Sequence, residues 1–465
     1  MRDGVLAGFL CTLAIIVVAG PLALLAYSKD GARGAYDQNE FHKPVIESFS
    51  ETWPAIDMQN YASATTPGYH WLLAGVAKHV SDDERALRVL GLLWSAALAG
   101  LLGFALARRT EAGTALVLAL PTLASVYVVS SAAFLLPDNA GWLLVLAILL
   151  CALDRWASWS LLVLGAGALV ALVLVRQSHV WAAALLWIAA WVGRQEVVDR
   201  DARDGPVDGE SPVEWLRSGA FPPTMGWGGA LQRFGGALAL TLPAFAVLGW
   251  FVLTWGGLVP PMFQGAVDPS TQFQQQVQGP NPAMPAMVLA VFGVVLAFHA
   301  MWWLPGAWRA LQRAPWVVLV PMGGAVIGAA AGLLPATSYS LDDGRYGGIW
   351  ALAKTLVIAD RSLIIAAMST LGGAGAGGLF LALPRRAAWV IFGGGFAFTL
   401  AQTANAYAWQ RYCEPMLLII TALSCTIIVQ DEKDAAVPGR VRTLRVAGPS
   451  VLAALLAAVT VMGLV

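Results

Sequence analysis

Charge is scarce in this chain. Asp, Glu, Lys and Arg make up 12% of its 465 residues, against 58% hydrophobic residues and a mean hydropathy of +0.68. Soluble domains carry roughly a quarter charged residues, so an ordinary soluble fold is excluded. The two signs balance at 28 basic and 28 acidic residues, which gives no reason to expect nucleic acid or any strongly charged partner. Cysteine is limited to Cys11, Cys151, Cys413 and Cys425, all within or beside apolar runs and without CxxC spacing. A disulfide framework is excluded on that basis. His42, His70, His79 and His179 are scattered without the spacing of a zinc site, so no metal or other cofactor is expected. No internal repeat marks the inverted halves of a secondary transporter.

What the chain has in abundance is apolar runs of membrane-spanning length, since a bilayer core takes roughly 20 residues of helix. They recur from 5–27 to 447–464, with continuous runs at 114–134 and 286–304 and the shortest at 139–153 and 179–193. The expected fold is an all-α polytopic membrane protein of about thirteen transmembrane helices. The first apolar run exceeds the h-region of a signal peptide and is taken as an uncleaved span.

Arginine placement sets the expected orientation. With the N-terminus in the cytoplasm, Arg2, Arg108, Arg109, Arg155, Arg309, Arg313, Arg385, Arg386, Arg440, Arg442 and Arg445 all fall inside, together with the mixed-charge linker 194–235. The outer face then receives the long first loop 28–86, the "LLPDNAG" turn, the Gln- and Pro-rich loop 257–285, the 335–361 segment and "AQTANAYAWQ". The whole chain, 1–465, reads as one membrane domain elaborated on its outer face.

Four outer segments carry the chemistry-bearing residues. "YDQNEFHKP" holds Asp37, Gln38, Glu40, His42 and Lys43. Three-residue spacing on a helix would place Asp37 and Glu40 on one face, and a carboxylate beside a hydroxyl is suited to general-base work. A solvated loop touching headgroups would produce the same pattern. "LVRQSHVW" sets Arg176 and Gln177 at the outer end of an apolar run. A guanidinium there either binds an anion such as phosphate or snorkels to the headgroups. "LDDGRYGG" supplies Asp343, Arg345 and Tyr346 from a re-entrant loop or an ordinary charged turn. "AWQRYCEP" sets Arg411 and Glu414 three apart, which is also the spacing of a local helical ion pair.

The order of these motifs resembles the eukaryotic dolichyl-phosphate-glucose α-1,2-glucosyltransferases, GT-C-class enzymes that add the last glucose to the lipid-linked oligosaccharide of N-glycosylation. That family's Asp-Glu-x-Phe-His-x-Pro element is matched by Gln38-Asn39-Glu40-Phe41-His42-Lys43-Pro44, with Gln38-Asn39 in place of the adjacent acids. Its later elements are similar to Thr65-Thr66-Pro67-Gly68-Tyr69, Leu87-Arg88-Val89, Arg176-Gln177-Ser178-His179-Val180-Trp181, Leu341 to Tyr346, and Arg411-Tyr412-Cys413-Glu414-Pro415. The resemblance implies a GT-C-like fold and an inverting transfer of hexose, glucose in that family, from a polyprenyl-phosphate donor to a glycan or lipid-linked acceptor.

The expected catalytic acid is therefore Asp37 or Glu40, with the substrates held by Gln38, His42, Lys43, Arg176, Gln177, Asp343, Arg345, Tyr346 and Arg411. The expected location is a bacterial cytoplasmic membrane, with the active site on the extracytoplasmic face. Two other readings stand beside it. One is a transporter or flippase of a lipid-linked or small polar substrate, which would put acids or amides deep within spans. The other is a non-catalytic scaffold, which leaves the outer cluster without a purpose.

Overall fold

The computed structural model describes residues 1–25, 34–154, 158–193, 226–263, 280–337, 348–405, 409–431 and 439–464. Helices account for most of it, and one antiparallel pair of two-residue strands, Val357–Ile358 with Arg361–Ser362, is the only strand pairing among the described residues. Six helices are long and apolar enough to cross a membrane, or up to eight if each of two bent pairs is one span. Four more apolar helices, Asp138–Ala152, Trp159–Val175, Gln177–Val192 and Glu414–Gln430, are shorter than 18 residues.

The helices used below are α1 (Arg2–Leu24), α2 (Lys43–Thr52), α3 (Gly68–His79), α4 (Glu84–Ala107), α5 (Ala112–Ala124), α6 (Val126–Ala133), α7 (Asp138–Ala152), α8 (Trp159–Val175), α9 (Ala183–Val192) and α10 (Gly226–Trp255). They continue as α11 (Met284–Phe298), α12 (Ala300–Arg313), α13 (Leu319–Leu333), α14 (Ile349–Ala353), α15 (Leu363–Ala382), α16 (Arg385–Gln402), α17 (Glu414–Asp431) and α18 (Gly439–Leu464).

Two continuous apolar runs turn out to be broken. The run 114–134 bends by 72° between α5 and α6, where Ser125 takes an extended conformation and its Oγ accepts from the Tyr127 N–H. The run 286–304 bends by 93° at His299, so α12 leaves the axis of α11 almost at a right angle. Hydropathy is blind to both bends because the sequence stays apolar through them. The linker expected at 194–235 lies outside the described residues up to 225, and its end, 226–235, belongs to helix α10.

The described part of the first loop is ordered, because it has its own apolar cluster. Val45, Ile46, Phe49, Tyr61, Tyr69 and Leu73 pack with Leu87, Leu135, Val175, Phe251 and Trp255 on the ends of the bundle. The contact with α8 is especially close. Thr66 Oγ1 donates to the Val173 carbonyl at 2.6 Å, and a Cβ at Gly68 would fall 2.6 Å from the Leu174 oxygen. Backbone cannot yield as a side-chain tip does, so only glycine fits here. This contact sets the height of the first loop against Arg176, the residue that follows α8. Gly68→Val is expected to lower stability by about 1–3 kcal/mol through overpacking, read as a lower melting temperature in detergent. An unchanged melting temperature would show that the loop is free to move off α8.

Candidate active site

The first loop enters the site through an irregular helix. Ala35–Asp37 forms a turn that widens into a π-helical turn at Gln38–His42, closed by the Lys43 N–H donating to the Gln38 carbonyl, before α2 begins. The wider i→i+5 turn breaks the pairing expected of Asp37 and Glu40. Asp37 is half-buried and forms an ion pair with Arg411, whereas Glu40 is exposed.

Gln38 explains the turn. It is fully buried, and its amide uses both donor and both acceptor positions. Nε2 donates to Asn39 Oδ1 at 3.1 Å and Glu84 Oε1 at 3.0 Å, while Oε1 accepts from Arg88 Nε at 3.0 Å and the Leu135 N–H at 3.2 Å. Lys43 Nζ reaches Glu84 Oε2 at 2.7 Å, and this hydrogen bond raises the lysine's pKa. Gln177 is engaged in the same manner: Oε1 accepts from the Thr66 N–H at 2.9 Å, and Nε2 donates to the Ala64 and Leu258 carbonyls at 2.7 and 3.0 Å. Gln38, Lys43 and Gln177, expected to hold substrate, are thus placed as anchors that fix the first loop to α4, α8 and the 134–137 turn.

Four charges meet where those anchors hold the loop. Arg411 pairs with Asp37, and Arg176 pairs with Asp138 at the start of α7. Both guanidinium groups lie against one ring, with Arg176 Cζ at 5.5 Å and Arg411 Cζ at 5.3 Å from the Tyr412 centroid; Trp409 lies 5.0 Å from Arg411. Burial opposes the charge on Arg411, but Asp37, Tyr412 and Asp138 outweigh it and hold the guanidinium firmly protonated. The side chains of Asp37 and Arg411 keep 21% and 26% exposure, so the pair can be reached from outside.

Three histidines border this cluster. His42 Nδ1 and His70 Nε2 lie 2.8 Å apart in the interior. Burial pushes His42 down to about 4 despite the nearby carboxylates of Asp37 and Asp138, and burial followed by His42 pushes His70 well below the ordinary range. Both rings are neutral at neutral pH. His179 Nδ1 accepts from the Trp181 indole N–H at 3.3 Å, and an indole only donates, so the His179 proton sits on Nε2. That Nε2–H, together with Arg411 Nε, His70 Nδ1 and the Tyr69 hydroxyl, is buried without a hydrogen-bond partner among the described residues.

The structure brings Asp37, His42, Arg176 and Arg411 together, with Asp138, His70, His179, Tyr69 and Tyr412 beside them. Glu40 stands outside the cluster. Asp343, Arg345 and Tyr346 lie outside the described residues. Glu414 is not Arg411's ion-pair partner: its carboxylate accepts from Ser125 Oγ at 2.6 Å and from the Gln410 amide, whose Oε1 in turn accepts from the Ile349 N–H at 2.9 Å. This chain ties the Arg411 turn to the α5–α6 bend and to α14. Among the described residues, no group of three His, Cys, Asp or Glu side chains gathers to hold a metal ion.

Acid is expected to weaken this region in a defined window. The unfolded chain binds a proton at His42 near pH 6.5 and the folded one only near 4, so its contribution is complete above 6.5 and is lost as pH falls toward 4. The slope is at most about 1.4 kcal/mol per pH unit for that group. Melting temperatures of the protein and of His42→Gln should diverge in slope between these limits, whereas parallel curves would remove His42 from the acid response.

No family model, curated protein or solved structure matches the chain.

Proposed function

We propose that the chain is an integral-membrane, inverting hexosyltransferase of GT-C type with about thirteen spans, its site on the extracytoplasmic face. The donor is a polyprenyl-phosphate hexose, glucose by the motif resemblance, and the acceptor is a glycan or a lipid-linked glycan. The observation that carries this reading is the convergence of Asp37, Asp138, Arg176 and Arg411 around Tyr412 from four separate parts of the chain. Arginines suited to a phosphate stand beside a carboxylate suited to a hydroxyl, and both are reached by the first loop.

The internal ion pairs fit an anionic substrate. A donor phosphate entering between Arg176 and Arg411 competes with the carboxylates for the same guanidinium hydrogens, and bidentate phosphate contacts are among the strong ones. Displaced from Arg411, Asp37 accepts the proton of the acceptor hydroxyl as its oxygen attacks the anomeric carbon. The bond from that carbon to the phosphate oxygen breaks, its electron pair leaves with the polyprenyl phosphate, and the two arginines stabilise the added negative charge. Attack opposite the leaving group inverts the anomeric centre. His42, neutral and near Asp37, is the candidate donor to a sugar oxygen.

The test is transfer from radiolabelled polyprenyl-phosphate hexoses to membrane-lipid acceptors by the purified protein. Asp37→Asn should lower turnover about 100-fold or more, the usual contribution of a general base, and Glu40→Gln should leave it within about twofold. Full turnover by Asp37→Asn would overturn the assignment of the base. Movement of intact donor across a vesicle membrane without bond cleavage would favour the flippase reading instead.

A further inference from the structure

The far end of the bundle carries a second charged feature, and the proposed reaction makes no use of it. Helix α11 starts where the Asn281 N–H bonds to the Thr403 carbonyl at 2.6 Å, near the Arg411 turn, and runs 15 residues, about 22 Å, to the elbow at His299. There α12 turns 93° and crosses the end of the bundle. Its Gly306 sits against Ala382, the last residue of α15, level with Arg385 at the start of α16. Trp302 Nε1 donates to the Arg445 carbonyl at 2.7 Å, Arg445 Nε donates to the Met301 carbonyl at 3.0 Å, and Trp303 Nε1 donates to the Leu296 carbonyl at 3.0 Å, so the elbow is fixed on both sides.

At about 100° per residue, α12 has three faces. Trp302, Trp303, Ala307 and Ala310 point into the bundle and are buried. Leu304 and Trp308, 45% and 58% exposed, form an apolar flank. Arg309, Gln312 and Arg313 form an exposed polar flank beyond it. A helix of a soluble domain has two faces, core and water; a third, apolar and exposed, fits a helix lying flat where hydrocarbon meets headgroups. Its charge has one sign: no Asp or Glu occurs anywhere from 269 to 341.

We propose that α12 is an interfacial helix that binds acidic phospholipid, with Leu304 and Trp308 in the acyl region and Arg309 and Arg313 on the headgroup phosphates. The leaflet is the one that arginine placement assigns to the cytoplasm. A basic residue beside an anionic bilayer surface contributes about 1 kcal/mol of attraction, a factor of about five in binding. This surface is independent of the transferase reading, because it lies a full helix length from Arg411.

Native mass spectrometry of the full-length protein, offered phosphatidylglycerol or phosphatidylcholine, tests it. The protein should prefer phosphatidylglycerol, and the Arg309→Gln, Arg313→Gln double variant should lose about fivefold of that preference for each arginine removed. The double lysine variant, which keeps the charge, should retain it. Arg85→Gln, exposed on α4 near Glu84 at the other end, should leave it unchanged. The proposal is overturned if the protein shows no preference, if the double glutamine variant keeps it within twofold, or if Arg85→Gln lowers it equally.

Discussion

A buried charge in a membrane protein must have a partner, and that constraint organises this molecule. Arg88 is the clearest case. It lies fully buried on α4 with Glu84 Oε1 2.5 Å from Nη2, Gln38 on Nε and the Phe134 ring 5.1 Å from Cζ. Through Gln38 it fixes the π-helical turn, the turn aims Asp37 at Arg411, and Arg411 shares Tyr412 with Arg176. Removing Arg88 would leave Gln38 Oε1 short of a donor and Glu84 short of a counter-ion. A fully buried residue therefore determines where the Asp37 carboxylate stands.

The arginines divide by what they donate to. Arg386 donates to the Gly193 and Ala152 carbonyls, both at 2.8 Å, and so closes the C-terminal ends of α9 and α7. Arg361 does the same for α13 through the Leu333 and Leu334 carbonyls at 2.6 and 3.2 Å. A carbonyl at a helix end has no intrahelical partner, so the buried Arg386 could not be given up to a ligand without stranding two of them. Arg176 and Arg411 instead face the carboxylates of Asp138 and Asp37, which remain partly exposed. The difference in acceptor, more than the presence of arginine, separates a binding site from a splint.

Much of this was legible in the sequence, and the limits have physical causes. Apolar runs gave the helical membrane class, and the first loop, Arg176 and Arg411 stood out because charge is rare. The bends at Ser125 and His299 were hidden because both lie inside runs that remain apolar. Asp138 was missed although it is a lone acid in "LLPDNAG" opening an apolar helix, a signal of the same kind that flagged Arg176. Gln38, Lys43 and Gln177 drew attention as polar residues in the right motifs, but polarity alone does not distinguish a group that meets substrate from one saturated by its own fold. That Gln38 has all four of its amide positions filled by the fold itself is visible only in the structure.

Under the proposed transferase reading, the ion pairs of Arg411 with Asp37 and of Arg176 with Asp138 would shape how selective the site is. Asp37 and Asp138 neutralise the two arginines, so on that reading a weak or monodentate anion would gain nothing by entering: it would exchange one ion pair for another and leave a carboxylate without its counter-charge. A phosphate that engaged both guanidinium groups at once would be favoured on the same reading, because it would replace two pairs with a shared clamp and free carboxylates for a proton from the acceptor. Charge-assisted, bidentate contacts would supply the difference, and both guanidinium groups lie against the one Tyr412 ring. Selectivity for a phosphate-bearing donor and activation of the base would then be one event.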